Sequence, residues 1–421
     1  MDNFIEFLYS KFLQSDGVSI DTRTLKPDNL FFAISGPNFN ANKFAIEALS
    51  KGASFAVVDD ASYQTDSRII LAKNAQEALQ GLAVFHRSRL RPKILGITGS
   101  NGKTTTKELI NAVLSQKYIV HATLGNYNNH LGVPLTLLHI HPQVEVAIIE
   151  MGANHVGEIA QLSSFANPTH GLITNIGEAH TETFGGIEGV LRGKSELFDH
   201  LRKNGGIPFI NLQDDRLAHM SNRFDGYVAF PSDDLIFEKA DPYITFSLAG
   251  QSHHTNLVGE YNFENIAAAV AIGRSFDVSD EKIIEAICGY SPSNQRSQVI
   301  KKGTNTVILD AYNANPTSMT AAIKSFAQMS GYKLAILGDM NEVENEVNKH
   351  KEIGLLLESE PIDEVWLCGS KMKHAKNSKS VYFENLQDLL GHMSKTNFSD
   401  RQILIKASRS MKLEEVLNKI Q

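Results

Sequence analysis

The stretch "ILGITGSNGKTTTKEL", Ile94 to Leu109, decides how the chain is read. Ile94, Leu95 and Ile97 form a buried strand pattern, and Leu109, Ile110, Val113 and Leu114 recur at helical spacing. Between the two, Gly99 and Gly102 permit a tight turn and close approach of a ligand to the backbone. Strand, glycine turn and helix make the setting of a phosphate loop. There the helix N-terminus offers unpaired N–H groups and a partial positive charge to an anion. Residues Gly99, Ser100, Asn101, Gly102, Lys103, Thr104 and Thr105 are the candidate cradle. Lys103 is placed to reach the β and γ phosphates of a nucleotide, and the Thr104 hydroxyl to ligate Mg2+. The spacing is not the strict G-x-x-x-x-G-K-[ST], because Ile97 stands where that pattern has its first glycine. The loop is a variant framed by Gly99 and Gly102. A chance lysine after a glycine turn is the competing reading, and the strand–helix context argues against it.

Outward from this segment, apolar strands alternate with helical stretches. "VEVAIIEMG" (144–152), "HGLITNIG" (170–177) and "GIPFINLQ" (206–213) read as strands, which implies a largely parallel sheet with helices on both faces. Upstream, "NLFFAISG" and "GASFAVVDD" belong to a first unit, ended by the basic, proline-containing "RSRLRPK". Downstream, "GYSPSNQRSQ" (289–298) reads as a second linker. Beyond it "NTVILDAY", "KLAILGDM", "DEVWLCGS" and "RQILIKAS" supply four more strands. A length of 421 residues suits about three domains of roughly 150 residues. The expected fold is therefore α/β in three domains, residues 1–90, 91–296 and 297–421. The central one carries the phosphate loop on a mostly parallel sheet, and the last is Rossmann-like.

Hydrophobic residues are 42% of the chain and charged residues 21%, enough to bury several cores. A formal net charge of −7, with no Lys/Arg-rich run, argues against nucleic-acid binding. No apolar run approaches the ~18 residues that cross a bilayer. "MDNFIEFLYSKFLQ", with an acid at position 2 and no small-residue cleavage site, reads as an amphipathic helix rather than a signal peptide. A cytoplasmic monomer without a membrane partner is expected. Cys288 and Cys368 have no Cys or His at metal-ligand spacing and read as buried thiols of a reducing compartment.

Several further residues stand where chemistry is expected. Glu150 ends "VEVAIIE", and a carboxylate at the C-terminal end of a parallel strand faces the crevice where open α/β sheets bind ligands. Its oxygens suit Mg2+. Asn126, Asn128 and Asn129 make a polar, turn-prone loop. Taken alone, His180 reads as a structural histidine and Lys194 as a solvated helix lysine.

The segment "GITGSNGKTTTKE" resembles the phosphate loop of the Mur ligase family, which adds amino acids to peptidoglycan precursors and shares its core with folylpolyglutamate synthetases. The resemblance extends along the chain and implies an ATP site. "GNYNNHLGVP" is similar to the family's G-N-x-N-N-x-x-G-x-P segment, so Asn126, Asn128 and Asn129 are implied to line the substrate phosphate and acceptor region. "EMGANHVGEI" looks like the family segment that carries the metal-binding Glu150. In "TNIGEAHTETFGGIEGVLRGKSEL" the resemblance implies His180 as a metal ligand. It also implies that Lys194 is carboxylated by CO2, its carbamate helping to hold a second Mg2+ beside Thr104 and Glu150. That reaction needs a neutral amine, so the site must depress the lysine pKa.

In "GEYNFENIAAAVAIG", Tyr261 replaces the family histidine, and Asn262 and Asn265 are implied to recognise adenine or to cap a helix. Arg296 matches the linker arginine near the nucleotide. Asp310 matches the ribose-binding acid, with Asn313 and Asn315 following on the substrate side. Asp21, Thr22 and Arg23 resemble the D-[ST]-R element of a uridine-nucleotide-binding domain, although "NAN" (40–42) stands where "DGH" is usual. "ILGDMNEVENE" and "IKASRSMKLEEVL" resemble segments of the last domain, with Ala407 in place of a glycine.

Within the family, "YNANPTSM" and "EMGANHVGEI" match the branch that adds D-alanyl-D-alanine, and the D-N-P-R motif of diaminopimelate-adding relatives is absent. The resemblance thus implies an ATP- and Mg2+-dependent amide ligase. It would join D-alanyl-D-alanine to UDP-N-acetylmuramoyl-tripeptide through an acyl phosphate. Two other readings stay open on the sequence: a folylpolyglutamate-type ligase and an inactive nucleotide-binding regulator.

Overall fold

A computed structural model of the protein describes residues 3–420, so the acid at position 2 lies outside the described residues. The N-terminal helix runs Asn3–Phe12 and buries Leu8 and Phe12. Four parallel strands follow in chain order, Val18–Ser19, Leu30–Phe32, Phe55–Val58 and Ile69–Leu71. Helix Ala75–Arg89 is started by Asn74, whose side chain accepts the Glu77 N–H. Its apolar stripe of Leu79, Leu82 and Ala83 joins Leu30 and Phe32 on one side and Val133 and Leu137 on the other. The first unit and the central sheet therefore share one continuous core.

The central sheet is parallel throughout. Its order across the sheet is Val228–Phe230, Ile207–Asn211, His170–Ile173, Lys93–Thr98, Val146–Glu150 and Val120–Ala122. Lys93–Thr98 lies inside it, flanked by the strands that end at Glu150 and Ile173. Three chain turns thus converge at the C-terminal edge, where open α/β sheets bind their ligands. Three antiparallel strands, Leu235–Ala240, Tyr243–Leu248 and Gln251–Val258, were not expected. They bury Ile244, Phe246 and Leu248 in one core with helix Asn262–Ser275, while threonine and serine alternate with these residues and blur the pattern in the sequence.

The last sheet runs Gln298–Lys302, Asn305–Asp310, Arg401–Lys406, Tyr332–Gly338, Glu364–Cys368 and Ser380–Phe383, antiparallel only at its first pair. Two of these six strands escaped the sequence reading. Gln298–Lys302 begins at the last residue of the expected linker, and it and Ser380–Phe383 are short, half-exposed edge strands. In the interior strands Ala335 and Leu337 face one core and Leu334 and Ile336 the other, as a sheet covered on both faces requires. Cys368 is buried here, whereas Cys288 is only half-buried, and burial raises the pKa of both thiols. No helix among the described residues is long and apolar enough to cross a membrane.

The chain's one tryptophan, Trp366, is fully buried in the second of these cores, against Phe383, Phe398 and His392. Its indole N–H donates to Glu364 at 2.8 Å. Phe398→Ala is expected to destabilise this domain by about 3–5 kcal/mol. Tryptophan fluorescence during urea unfolding should move to lower midpoint, while nucleotide binding at low denaturant stays intact.

Candidate active site

The phosphate loop is braced on three sides. Gly99 has φ +144°, and a Cβ there would lie 2.0 Å from Thr174 Oγ1, so the strand end and the neighbouring turn touch through a bare backbone. Ser100 and Asn101 are fastened to the same turn. Ser100 N–H donates to Asn175 O at 3.0 Å, Ser100 Oγ to Gly177 O at 2.9 Å, and Asn101 N–H to Asn175 Oδ1 at 3.0 Å. Gly102, at φ +78°, opens helix Lys103–Leu114, and a Cβ there would strike Asn265 Oδ1 at 2.6 Å. Asn265 also accepts the Thr106 hydroxyl at 2.8 Å and donates to Asn262 Oδ1 at 2.7 Å, and Asn262 in turn donates to Val258 O at 2.7 Å. Both asparagines are buried in this chain of bonds behind the loop. Neither oxygen caps its own helix, whose cap position is Tyr261.

Lys103 curls back over the loop, donating to Gly99 O at 2.7 Å and Ser100 O at 3.2 Å. Loss of hydration lowers its pKa to about 8, Glu150 opposing and Arg296 reinforcing that shift. Thr104 Oγ1 donates to Glu150 Oε2 at 3.0 Å, and Asn128 Nδ2 donates to Glu150 Oε1 at 2.9 Å. Glu150 is 1% exposed, at the end of strand Val146–Glu150. The hydroxyl and carboxylate proposed for the metal are thus in contact, with an all-oxygen character that suits Mg2+. Among the described residues no three His, Cys, Asp or Glu side chains gather as a metal cage. A Mg2+ held by one carboxylate, a hydroxyl and substrate phosphates needs none.

His180 sits at φ +56° and places Nδ1 2.5 Å from Glu342 Oε2 of the last domain. Burial lowers its pKa, Glu342 opposing and Lys103 and Lys194 adding to the effect. Lys194 is not a solvated helix lysine. It is 1% exposed, donates to Ala153 O at 3.0 Å and packs over the Phe184 ring. Burial, with Lys103 adding to it, drives its pKa well down against the pull of Glu158 and Glu196. Glu196 itself accepts the Gly157 and Ala160 N–H groups at the start of helix Glu158–Ala166.

The last domain closes the cavity. The Arg296 guanidinium lies 3.8 Å above the Tyr312 ring. Asp310 pairs with the buried Lys406 and accepts the Ser297 N–H at 3.3 Å. Asn315 starts helix Pro316–Ala327 in a capping box with Ser318, and its amide donates to Asn101 Oδ1 at 2.7 Å. Asn313 is exposed at the rim. Arg296, Asp310, Asn313 and Lys406 line a cavity of about 760 Å3 together with Ser100–Thr105, Glu150, His180, Asn262 and Asn265; Gly99, Lys194 and the buried Asn315 are not part of its lining.

A second cleft, of about 1370 Å3, lies between the first unit and the central domain. Asp21, Thr22 and Arg23 line it, with Arg23 holding both oxygens of Asp21 (2.9 and 2.6 Å) and lowering that carboxyl pKa to about 2. Loop 123–131 serves both spaces. Leu124 and Tyr127 face this cleft, while Asn126, Asn128 and Asn129 face the nucleotide cavity. Asn129 Oδ1 also accepts the Leu131 and Gly132 N–H groups at the head of helix Gly132–Leu138. Two residues carried no role in the sequence reading. Lys107 is one helical turn past Lys103 within a buried run, and Lys406 ends the apolar strand Arg401–Lys406. For Lys406 the available signal was a lysine closing an apolar strand; Lys107, in the polar run "KTTTKE", carried none.

A phosphate loop on a parallel sheet, with a hydroxyl and a carboxylate meeting beside it and two further α/β units around it, defines an ATP-dependent ligase of the Mur type. Residues 97–273 match the Mur ligase middle domain and residues 295–416 the Mur ligase glutamate ligase domain. The chain belongs to the Mur ligase family. It is 35% identical, over 95% of its length and 92% of the relative's, to UDP-N-acetylmuramoyl-tripeptide–D-alanyl-D-alanine ligase of Bacillus subtilis. It is 33% identical to the enzyme of that name from Escherichia coli, over 96% and 94%. The fold superposes on MurF from Acinetobacter baumannii with TM-score 0.87 at 28% identity, covering 98% and 97% of the chains. MurF from Thermotoga maritima in complex with ADP gives 0.84 at 25%, covering 97% of each.

Because Lys103 stands near pH 8, an arriving polyphosphate raises its pKa and draws in a proton. Calorimetry of ADP binding in buffers of different ionisation enthalpy should record about half a proton more uptake by the wild-type chain than by Lys103→Arg at pH 8, and almost no difference between the two at about pH 6, where the lysine is already charged.

Proposed function

We propose that this chain couples D-alanyl-D-alanine to UDP-N-acetylmuramoyl-tripeptide at the expense of ATP, in peptidoglycan synthesis. The observation that carries the reading is loop 123–131, which lines both the nucleotide cavity and the cleft of Asp21–Arg23. A uridine-linked substrate seated in the second cleft can extend along this loop to bring its peptide carboxylate to the γ-phosphate. The names carried by the full-length relatives support the choice of both substrates.

A carboxylate does not react with an amine at neutral pH, so it must first be activated. Its oxygen attacks the γ-phosphorus of ATP, ADP leaves, and an acyl phosphate forms. The amine of the dipeptide then attacks the acyl carbon, a proton is lost, and the tetrahedral adduct expels phosphate to leave the amide. The difficult part is bringing two anions together. Loop amides 99–105, the Lys103 ammonium and the helix N-terminus stabilise the charge on the phosphates. Thr104 and Glu150 are the residues that would hold Mg2+, with His180 and a carboxylated Lys194 at a second ion. Bound there, Mg2+ supplies charge neutralisation and orients the transferring phosphoryl group. Asp310 and Arg296 are assigned to the ribose and base end of the nucleotide, and Asn313 and Asn315 to the acceptor side. Enclosure by three domains keeps water from the acyl phosphate.

Purified chain with ATP, Mg2+, the tripeptide nucleotide and D-alanyl-D-alanine should yield product of the pentapeptide mass, and Lys103→Ala should lower kcat about 10²- to 10³-fold. Product formation at the wild-type rate by that variant would defeat the mechanism; glutamate addition to a folate instead would defeat the substrate assignment. Carbon-13-labelled bicarbonate should give a carbamate resonance in the wild-type chain that is missing from Lys194→Ala.

A further inference from the structure

Lys107 is a buried cation that the chemistry above leaves without a task. It is 3% exposed, stands on helix Lys103–Leu114, and lines neither the nucleotide cavity nor the uridine-side cleft. Its ammonium donates to Thr123 O at 2.7 Å. It lies 3.9 Å from Glu150 Oε2 and 3.5 Å from Glu108 Oε1. A cation out of water needs compensating partners. Here they are the first residue of the shared loop and the carboxylate at the centre of the nucleotide site.

The contacts close a ring. Lys107 holds the Thr123 carbonyl, and the Thr123 hydroxyl accepts the Glu150 N–H at 3.0 Å. Glu150 Oε1 accepts from Asn128, five residues further along the loop that starts at Thr123. Asn128 O accepts the Gly152 N–H at 2.8 Å, fastening the far side of the ring to the strand end. Leu124 and Tyr127, between Thr123 and Asn128, face the uridine-side cleft. The hydrogen bonds of Lys107 bypass the phosphate loop itself, whose braces are Asn175, Gly177 and Asn265.

We propose that Lys107 is a positioning residue that locks Glu150 and the root of loop 123–131 into one arrangement, so that a correctly set metal carboxylate and a correctly set uridine-side wall come together. This rests on the ligase reading. It separates two kinds of binding: affinity for nucleotide phosphates alone does not depend on Lys107, whereas Mg2+-dependent nucleotide binding and seating of the muramoyl nucleotide do. A lysine with a purely structural role would change thermal stability and leave the binding constants of the folded protein alike.

The test uses the full chain with Lys107→Met and Lys107→Arg. For Lys107→Met, calorimetry should record affinity for UDP-N-acetylmuramoyl-tripeptide about tenfold weaker, and the gain in ADP affinity on adding Mg2+ reduced by about as much. ADP affinity without a divalent ion should stay within about twofold of wild type, and Lys107→Arg should recover most of both losses. In turnover, KM for the tripeptide nucleotide and for Mg2+-ATP should both rise and kcat fall. Unaltered tripeptide-nucleotide binding in Lys107→Met, or equal weakening of all three titrations, would overturn the proposal. Should Lys107→Met not fold, Lys107→Gln keeps a donor for Thr123 O without the charge and is read by the same titrations with the same expected split. A wild-type chain that bound ADP but not the muramoyl nucleotide would sink the ligase reading instead. The Mg2+ gain of the variant would still decide whether Lys107 holds Glu150, an unchanged gain overturning the proposal.

Discussion

A carboxylate at the inner end of a central strand, shut off from water, must be surrounded by donors, and much of this molecule's middle is arranged to satisfy Glu150. Desolvating such a group without partners costs several kcal/mol. Its oxygens take Thr104 from the phosphate helix and Asn128 from the shared loop, while its N–H is held by Thr123. Each donor comes from a different element. The carboxylate therefore fixes the relative placement of helix, loop and strand, which are the parts that must agree if phosphate, metal and substrate carboxylate are to meet. The same donors set the site's chemistry, since a hydroxyl that hydrogen-bonds the carboxylate in the free protein is already within reach of an ion placed between them.

Two lysines near that carboxylate show how burial tunes a charge for different ends. Lys103 curls onto carbonyls at the rim and stays within range of neutral pH, ready to be fully charged by an arriving polyphosphate. Lys194 lies deeper, on an aromatic ring with a single backbone carbonyl, and its charged form is disfavoured further by Lys103. An amine kept neutral is a nucleophile towards CO2, whereas an ammonium is not. Depth and neighbours, with the residue type unchanged, thus separate the roles proposed for the two: phosphate clamp for Lys103 and carbamate precursor for Lys194.

Periodicity and glycine placement made the four inner strands of the central sheet, the phosphate loop and the α/β class readable, because strands covered on both faces are near-continuous apolar runs; the edge strands Val120–Ala122 and Val228–Phe230 escaped. The same rule explains the failures. Gln298–Lys302 and the strands between Leu235 and Val258 expose one face, so polar residues interrupt the pattern that would reveal them. At the site, Glu150 and Lys103 were legible from position alone. His180 and Lys194 acquired roles only through the family resemblance, since their burial depends on long-range packing by Phe184 and the last domain. Lys107 was passed over because a lysine in an exposed-looking "KTTTKE" run is ordinarily solvated; its three-dimensional partners Thr123 and Glu150 lie 16 and 43 residues away along the chain.

The way the three domains are joined indicates which of them can move. The first unit and the central sheet share an apolar core running from Leu8 and Phe32 through Leu79 to Val133 and Ile149, and separating them would expose it. The last domain is held differently. Among the described residues, Val258 is the one central residue in its core clusters, and its polar ties include Asn315 to Asn101, Thr317 to Glu178, Glu344 to Thr181, Lys349 to Glu178, Glu342 to His180 and Ser330 to Asp241. Contacts of this kind exchange for water at little cost. Gln295 and Ser297, both at positive φ, lie in the segment that joins the two. Three of the central partners, Asn101, His180 and Thr181, lie in or beside the nucleotide cavity, so the state of the site and the seating of the domain report on each other. The pair that carries Glu150 and the cleft of Asp21–Arg23 is thus joined by apolar burial, and the last domain is joined to it mainly by polar contacts.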